Sequence, residues 1–198
     1  MTETQSLKQT METVNQAFDI LTQFHQNVAD LLRLIAHGLE DGEYSYTPLL
    51  HGGSCWTSSI EPVLRKASSW QWKHFALPFQ CADEPEAPIL LVNISIDQSF
   101  NALPEIWLGS FSDLESDEDS FPFTESIEYI FNDYFGPEET WNEPHRWYEE
   151  RLEEDGLAAT FGFQRLPMHS LTDKQAVQTT VCDVLQTRVN TLMTTPQE

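Results

Sequence analysis

Three groupings in this chain are of residue types that could do chemistry. The run His51-Gly52-Gly53-Ser54-Cys55 sets a hydroxyl and a thiol beside a glycine pair, and a histidine base could activate either as a nucleophile. Such a site needs a base and an orienting group supplied by the fold, and short matches of this kind arise often by chance. A Gly-Gly turn beside a buried Cys55 is the preferred reading. His145 and Glu149 stand four apart in a run that reads as helix, which would put two metal-ligating side chains on one face. No third ligand stands at a recognisable spacing, so a solvated helix face is preferred there. The cysteines, Cys55, Cys81 and Cys182, are odd in number and widely spaced, with no CxxC pair. Reduced thiols in a cytoplasmic protein are the plain reading. No catalytic residue, metal or cofactor is assigned.

The strongest signal is charge. The chain has 198 residues and a formal net charge of −22. Between Asp113 and Asp155 stand 16 carboxylates against two cations, Arg146 and Arg151, a net of −14. The same neighbourhood, Phe111 to Tyr148, holds ten of the 23 aromatic residues. Residues 1–112 carry −8 and residues 156–198 balance at zero. A solvent adaptation would spread acids over the whole surface, so the acidity reads as a localised patch. It opposes direct binding to nucleic acid or to an anionic membrane, which needs clustered Lys and Arg. A cationic partner is its natural complement. The start, MTETQSLKQTMETVNQ, has neither the basic nor the apolar region of a signal peptide, and no apolar run has the length of a membrane span.

The elements that must position this patch follow from periodicity. Leu7, Val14, Leu21, Val28 and Ile35 recur every seven residues, with Met11, Phe18, His25 and Leu32 between them, a 4–3 seam. This predicts a long helix over 1–37, with Leu21 and Val28 buried and Gly38 as its C-cap. It either packs along another helix of the chain or forms a coiled-coil homodimer. Residues 59–68 read as a short helix. Residues 70–79, 88–97 and 103–111 read as strands joined by turn-rich linkers, hence an antiparallel meander. Residues 113–120 read as an exposed loop. Residues 124–134 and 144–155 read as two acidic helices, 157–166 as a fourth strand and 173–193 as a final helix. The expected fold is a single α+β domain spanning 1–198. In it a mainly antiparallel sheet of about four strands is packed by long N- and C-terminal helices, with an acidic helical insertion at 113–155.

This order resembles that of restriction-nuclease-like cores. The resemblance implies an Asp at the end of the second strand, met by Asp97, and an acid-x-Lys on the third to hold Mg²⁺. Glu105 is followed two residues on by Trp107, and no lysine lies between Lys73 and Lys174. The order of elements alone carries no function.

The leading expectation is therefore a non-enzymatic, cytoplasmic acidic protein that binds a basic partner through residues 113–155. One form of it is a nucleic-acid mimic that inhibits a nucleic-acid-binding protein. Another is an acidic chaperone or immunity-type protein covering a client. A metal-dependent or thiol enzyme with a degenerate nuclease-like core is the alternative class. The expected partner-binding residues are Asp117, Glu118, Asp119, Glu149, Glu150, Glu153 and Glu154, with Trp141, Trp147 and Tyr148 as aromatic anchors. As helix, this segment would carry like-charged rows Glu149/Glu153 and Glu150/Glu154.

Overall fold

The computed structural model describes residues 3–49, 74–95, 103–116, 145–154 and 157–194; within them it gives no side chain for 3–8, 74–76, 116, 152, 154 and 157. The chain opens with helix α1, Glu3–Glu40. Strands β1 (Tyr46–Pro48), β2 (His74–Cys81), β3 (Ile89–Ser95), β4 (Glu105–Ser116), β5 (Tyr148–Glu154) and β6 (Leu157–Pro167) follow. A 3₁₀ turn, Met168–Ser170, leads to helix α2 (Lys174–Val177), a π turn (Gln178–Cys182) and helix α3 (Asp183–Thr194), which run on without a break. The strands make one sheet in the order β1-β2-β3-β4-β6-β5, antiparallel at every pairing.

This is the expected α+β class with an antiparallel sheet, but with six strands among the described residues rather than four. The two additions are the edge strands. β1 is three residues long and too short for a periodic signal. β5 overturns the helix expected over 144–155. Its residues alternate faces and pair with β6 from Tyr148↔Phe163 to Glu154↔Leu157. Two residues, Asp155-Gly156, lie between the two strands, a dipeptide favoured in tight hairpins. The strand also relieves the repulsion a helix would build, because residues four apart, one turn from each other in a helix, now stand about 13 Å apart along the strand. Residues 113–116, expected as loop, extend β4. There the register with β6 shifts between Ser112 and Glu115, and Asp113 adopts φ 51°, the left-handed conformation of a bulge residue that Asp tolerates.

One face of the sheet carries Phe79, Leu90, Val92, Ile94, Ile106, Leu108 and Leu166. Against it pack Val28, Ile35 and Leu39 of α1 and Val177, Val181, Cys182, Leu185 and Val189 from the C-terminal helices. Asp173 starts α2 by accepting a hydrogen bond from the Ala176 N–H at 2.8 Å, a side-chain N-cap. α1 does not stop at Gly38 as expected; it continues to Glu40. A Cβ at Gly38 would stand 2.6 Å from Cys182 Sγ, so the glycine serves close helix crossing rather than capping.

The other face is buried as well, and it is aromatic. Phe111 stacks on Phe161 at 4.6 Å, Phe161 on Phe163 at 5.5 Å, and Trp107 and Tyr148 each on Phe163 at 5.7 Å. The N-terminal part of α1 is different. Leu21, expected inside, is 47% exposed, while Val28 one heptad later is 1% exposed. The body of the protein reaches the helix only from about Phe24 onward.

Candidate interaction surface

β4, β6 and β5 bring their acidic residues to one end of the sheet. Glu115 pairs with Ala158 on one side, and Glu153 pairs with the same Ala158 on the other. The two carboxylates thus share a row two strand spacings wide, about 9.6 Å. Arg151 stands between them. Its Nη2 donates to Glu115 Oε1 at 3.2 Å, its Nη1 donates to the Asp113 carbonyl at 3.1 Å, and its Nε lies 3.9 Å from Glu153 Oε1. Glu115 and Glu153 remain 78% and 77% exposed. Asp113 is exposed too, and so is Glu150, which points to the opposite face of the sheet beside Phe161. One guanidinium therefore faces a cluster of solvated carboxylates on a sheet edge. Charges on an edge strand also oppose edge-to-edge pairing with another sheet.

The expected partner-binding residues divide into three groups. Asp117, Glu118, Asp119 and Trp141 lie outside the described residues; Glu154 is placed in β5 by its backbone alone. Glu150 and Glu153 belong to the exposed edge. Glu149, Trp147 and Tyr148 are engaged within the fold. Glu149 faces Gly162 across the ladder and forms an ion pair with Arg188 of α3. Arg188 is 9% exposed; its Nε donates to Ser110 Oγ at 3.2 Å and its guanidinium lies 4.9 Å from the centre of the Trp147 ring. A Cβ at Gly162 would come within 2.5 Å of Arg188 Nη2, so this glycine makes room for the buried cation. Tyr148 is half-buried on Phe163, with Arg146 stacked at 5.5 Å from its ring. The half-buried Trp147 and the outer side of α3 border a groove of about 370 Å³.

Sequence reasoning missed Glu115 and Arg188. Glu115 sits in a run that reads as loop. Arg188 had a legible signal: it falls among Leu185, Val189 and Leu192, on the apolar side of the last helix.

The chemical groupings resolve as follows. His51 to Cys55 and Asp97 lie outside the described residues. His145 and Glu149 do not share a helix face, since β5 replaces the helix; His145 adopts φ 68° just before the strand. Glu105 lies 3.8 Å from Arg165, and Trp107 is buried two residues on. Among the described residues no three of His, Cys, Asp and Glu are gathered as metal ligands. Cys81 and Cys182 are free and buried. Burial pushes the Cys182 thiol up to about 11, chiefly through desolvation and then through Asp183; it donates to the Ile35 carbonyl at 3.8 Å. Tyr46 is raised further, again by desolvation first, with its hydroxyl donating to the Pro88 carbonyl at 2.8 Å. Among the described residues no helix is long and apolar enough to cross a membrane.

Compared with known protein families, curated proteins and solved structures, the chain matches none.

Proposed function

We propose that this chain is a non-enzymatic acidic protein that binds a basic partner through the surface its 113–155 segment contributes to, occupying a site that otherwise takes nucleic acid. The observation that carries the reading is the shared row of Glu115 and Glu153, solvated and answered by Arg151. Exposed carboxylates on one edge raise the local concentration of a cationic partner and speed its encounter. The surplus of −14 in this stretch, against zero in residues 156–198, gives the field a direction. The reading includes a cytoplasmic location and a homodimer joined through α1.

The test is affinity capture from the native cell with two baits, the wild-type chain and a Glu115→Gln/Glu150→Gln/Glu153→Gln variant. A basic nucleic-acid-binding protein retained by the first, lost from the second, and displaced by added DNA or RNA supports the proposal. A partner retained equally by both baits contradicts it.

A further inference from the structure

Helix α1 has 38 residues, about 57 Å of helix at 1.5 Å per residue. Its second half is built into the core through Val28, Ile35 and Leu39. From Gln9 to Gln23 every residue is exposed, and five of them are large and apolar. Met11 is 54% exposed, Val14 40%, Phe18 57%, Ile20 70% and Leu21 47%. Met11, Val14, Phe18 and Leu21 continue the same 4–3 seam that is buried at Val28 and Ile35. The seam has run out of protein to pack on but has not run out of apolar residues. The protruding stretch of about fifteen residues gains little in water from propensity alone, so the stripe needs a cover.

Three observations say what covers it. The first is the repeat itself, since a 4–3 seam fits another helix bearing the same repeat. The second is charge. In a chain of net −22, the stretch 9–27 holds only Glu12 and Asp19 and no lysine or arginine. The seam's flanks, Thr10, Asn15, Ala17 and Thr22, carry no charge. A second copy meets almost no repulsion here, and a basic partner would find almost nothing to answer its charge. The third is area. The four seam side chains, about half exposed, amount to roughly 350 Å² per helix, hence about 700 Å² for a pair, the size of a weak interface that forms at high protein concentration.

We infer that two copies of this chain pair through these stripes as an antiparallel two-helix coiled coil centred between Met11 and Val14. In that register Met11 meets Val14 of the second copy and Phe18 comes level with its residue 7, so each helix ends before the partner's body begins near Phe24. Each layer opposes seam to seam. Charge fixes the direction. A parallel pair would set two bodies of like charge side by side. In the antiparallel pair each helix enters its own body near Val28, about fifteen residues from the centre. The bodies then lie about 46 Å apart, well beyond the screening length of about 8 Å at physiological salt. This deepens the homodimer of the proposed function and is independent of its acidic edge, so the failure of either leaves the other standing.

Light scattering after size exclusion, with the full chain at about 200 µM and near-physiological salt, should give twice the 22.8 kDa chain mass. Val14→Glu and Phe18→Glu should each return the monomer mass while leaving the circular dichroism and the urea midpoint of the monomer unchanged. Direction is read by disulfide trapping in a Cys55→Ser background. A mixture of Met11→Cys and Val14→Cys chains should cross-link under mild oxidation, and Phe18→Cys alone should not. A monomer at this concentration, or a dimer that survives Phe18→Glu, overturns the pairing. Self-linked Phe18→Cys without the mixed product overturns the antiparallel register.

Discussion

Gly38 of α1 and Cys182 of the π turn meet where the two ends of the chain cross. A Cβ on Gly38 would lie 2.6 Å from the cysteine sulfur and 2.9 Å from Gln178 Oε1. An extra residue in the last helix shifts its register at the π turn and seats Cys182 there, with its thiol against the Ile35 carbonyl. Gly38→Ala would raise helix propensity by about 1 kcal/mol in isolation. At this crossing it should instead destabilise by about 1–3 kcal/mol through overpacking. Urea unfolding of Gly38→Ala, alone and with Cys182→Ala, checks this. The double variant should recover part of the loss.

The same thiol makes stability depend on pH. An unfolded cysteine ionises near its ordinary value of 9.0, whereas Cys182 in the fold holds its proton to about 11. Above pH 9 the unfolded chain loses a proton that the folded chain keeps. Stability is therefore full below about pH 9 and falls as pH rises toward 11, by an order of 2–3 kcal/mol. Urea midpoints between pH 8 and 11 should decline in the wild type. Cys182→Ala should flatten the first part of the decline, and Tyr46→Phe the part above pH 10, since Tyr46 is raised in the same sense.

Arg188 and Glu149 form a mostly buried pair whose carboxylate is half in water. Arg188 is 9% exposed and Glu149 51%. Glu149→Gln leaves the guanidinium with Ser110 and the Trp147 ring but without a counter-charge. It should cost about 1–3 kcal/mol. Glu150→Gln should change stability by less than about 0.5 kcal/mol, as at an ordinary surface site. Equal effects would show that the ion pair is not what holds β5 to α3.

The contrast along α1 predicts a gradient. Ile35 is fully buried and Leu21 is 47% exposed. Ile35→Ala should cost about 2–5 kcal/mol in the unfolding of the monomer, and Leu21→Ala less than about 1 kcal/mol. Chemical denaturation at low protein concentration makes the comparison.

The fold was legible where one pattern stood alone. The 4–3 seam marked α1, and PILLVNISID marked β3 by its alternation. The failures have particular physical causes. At Gly38 a helix-stopping residue serves close packing with a partner distant in sequence, which no local signal reports. At Tyr148–Glu154 a proline start at Pro144 and a glycine at 156 bound a run that reads as helix, yet pairing with β6 makes it a strand. Leu21 shares its spacing with Val28, and period alone does not say where the body of the protein ends. For the candidate surface, the excess of acid was legible. The division between Glu149, held by Arg188, and Glu150 and Glu153, free to face a partner, depends on the strand.

The central claim concerns that exposed edge, and the most direct measurement is the association rate with a captured basic partner. The wild-type chain and the Glu115→Gln/Glu150→Gln/Glu153→Gln variant are compared at about 50 mM and about 500 mM salt. All three side chains are exposed, so both proteins should show the same unfolding midpoint to within about 0.5 kcal/mol. The account predicts association at least about tenfold slower for the variant at low salt, with the two rates converging at high salt and dissociation little changed. Equal association rates at low salt would contradict it and leave these carboxylates as the solvated guard of an edge strand.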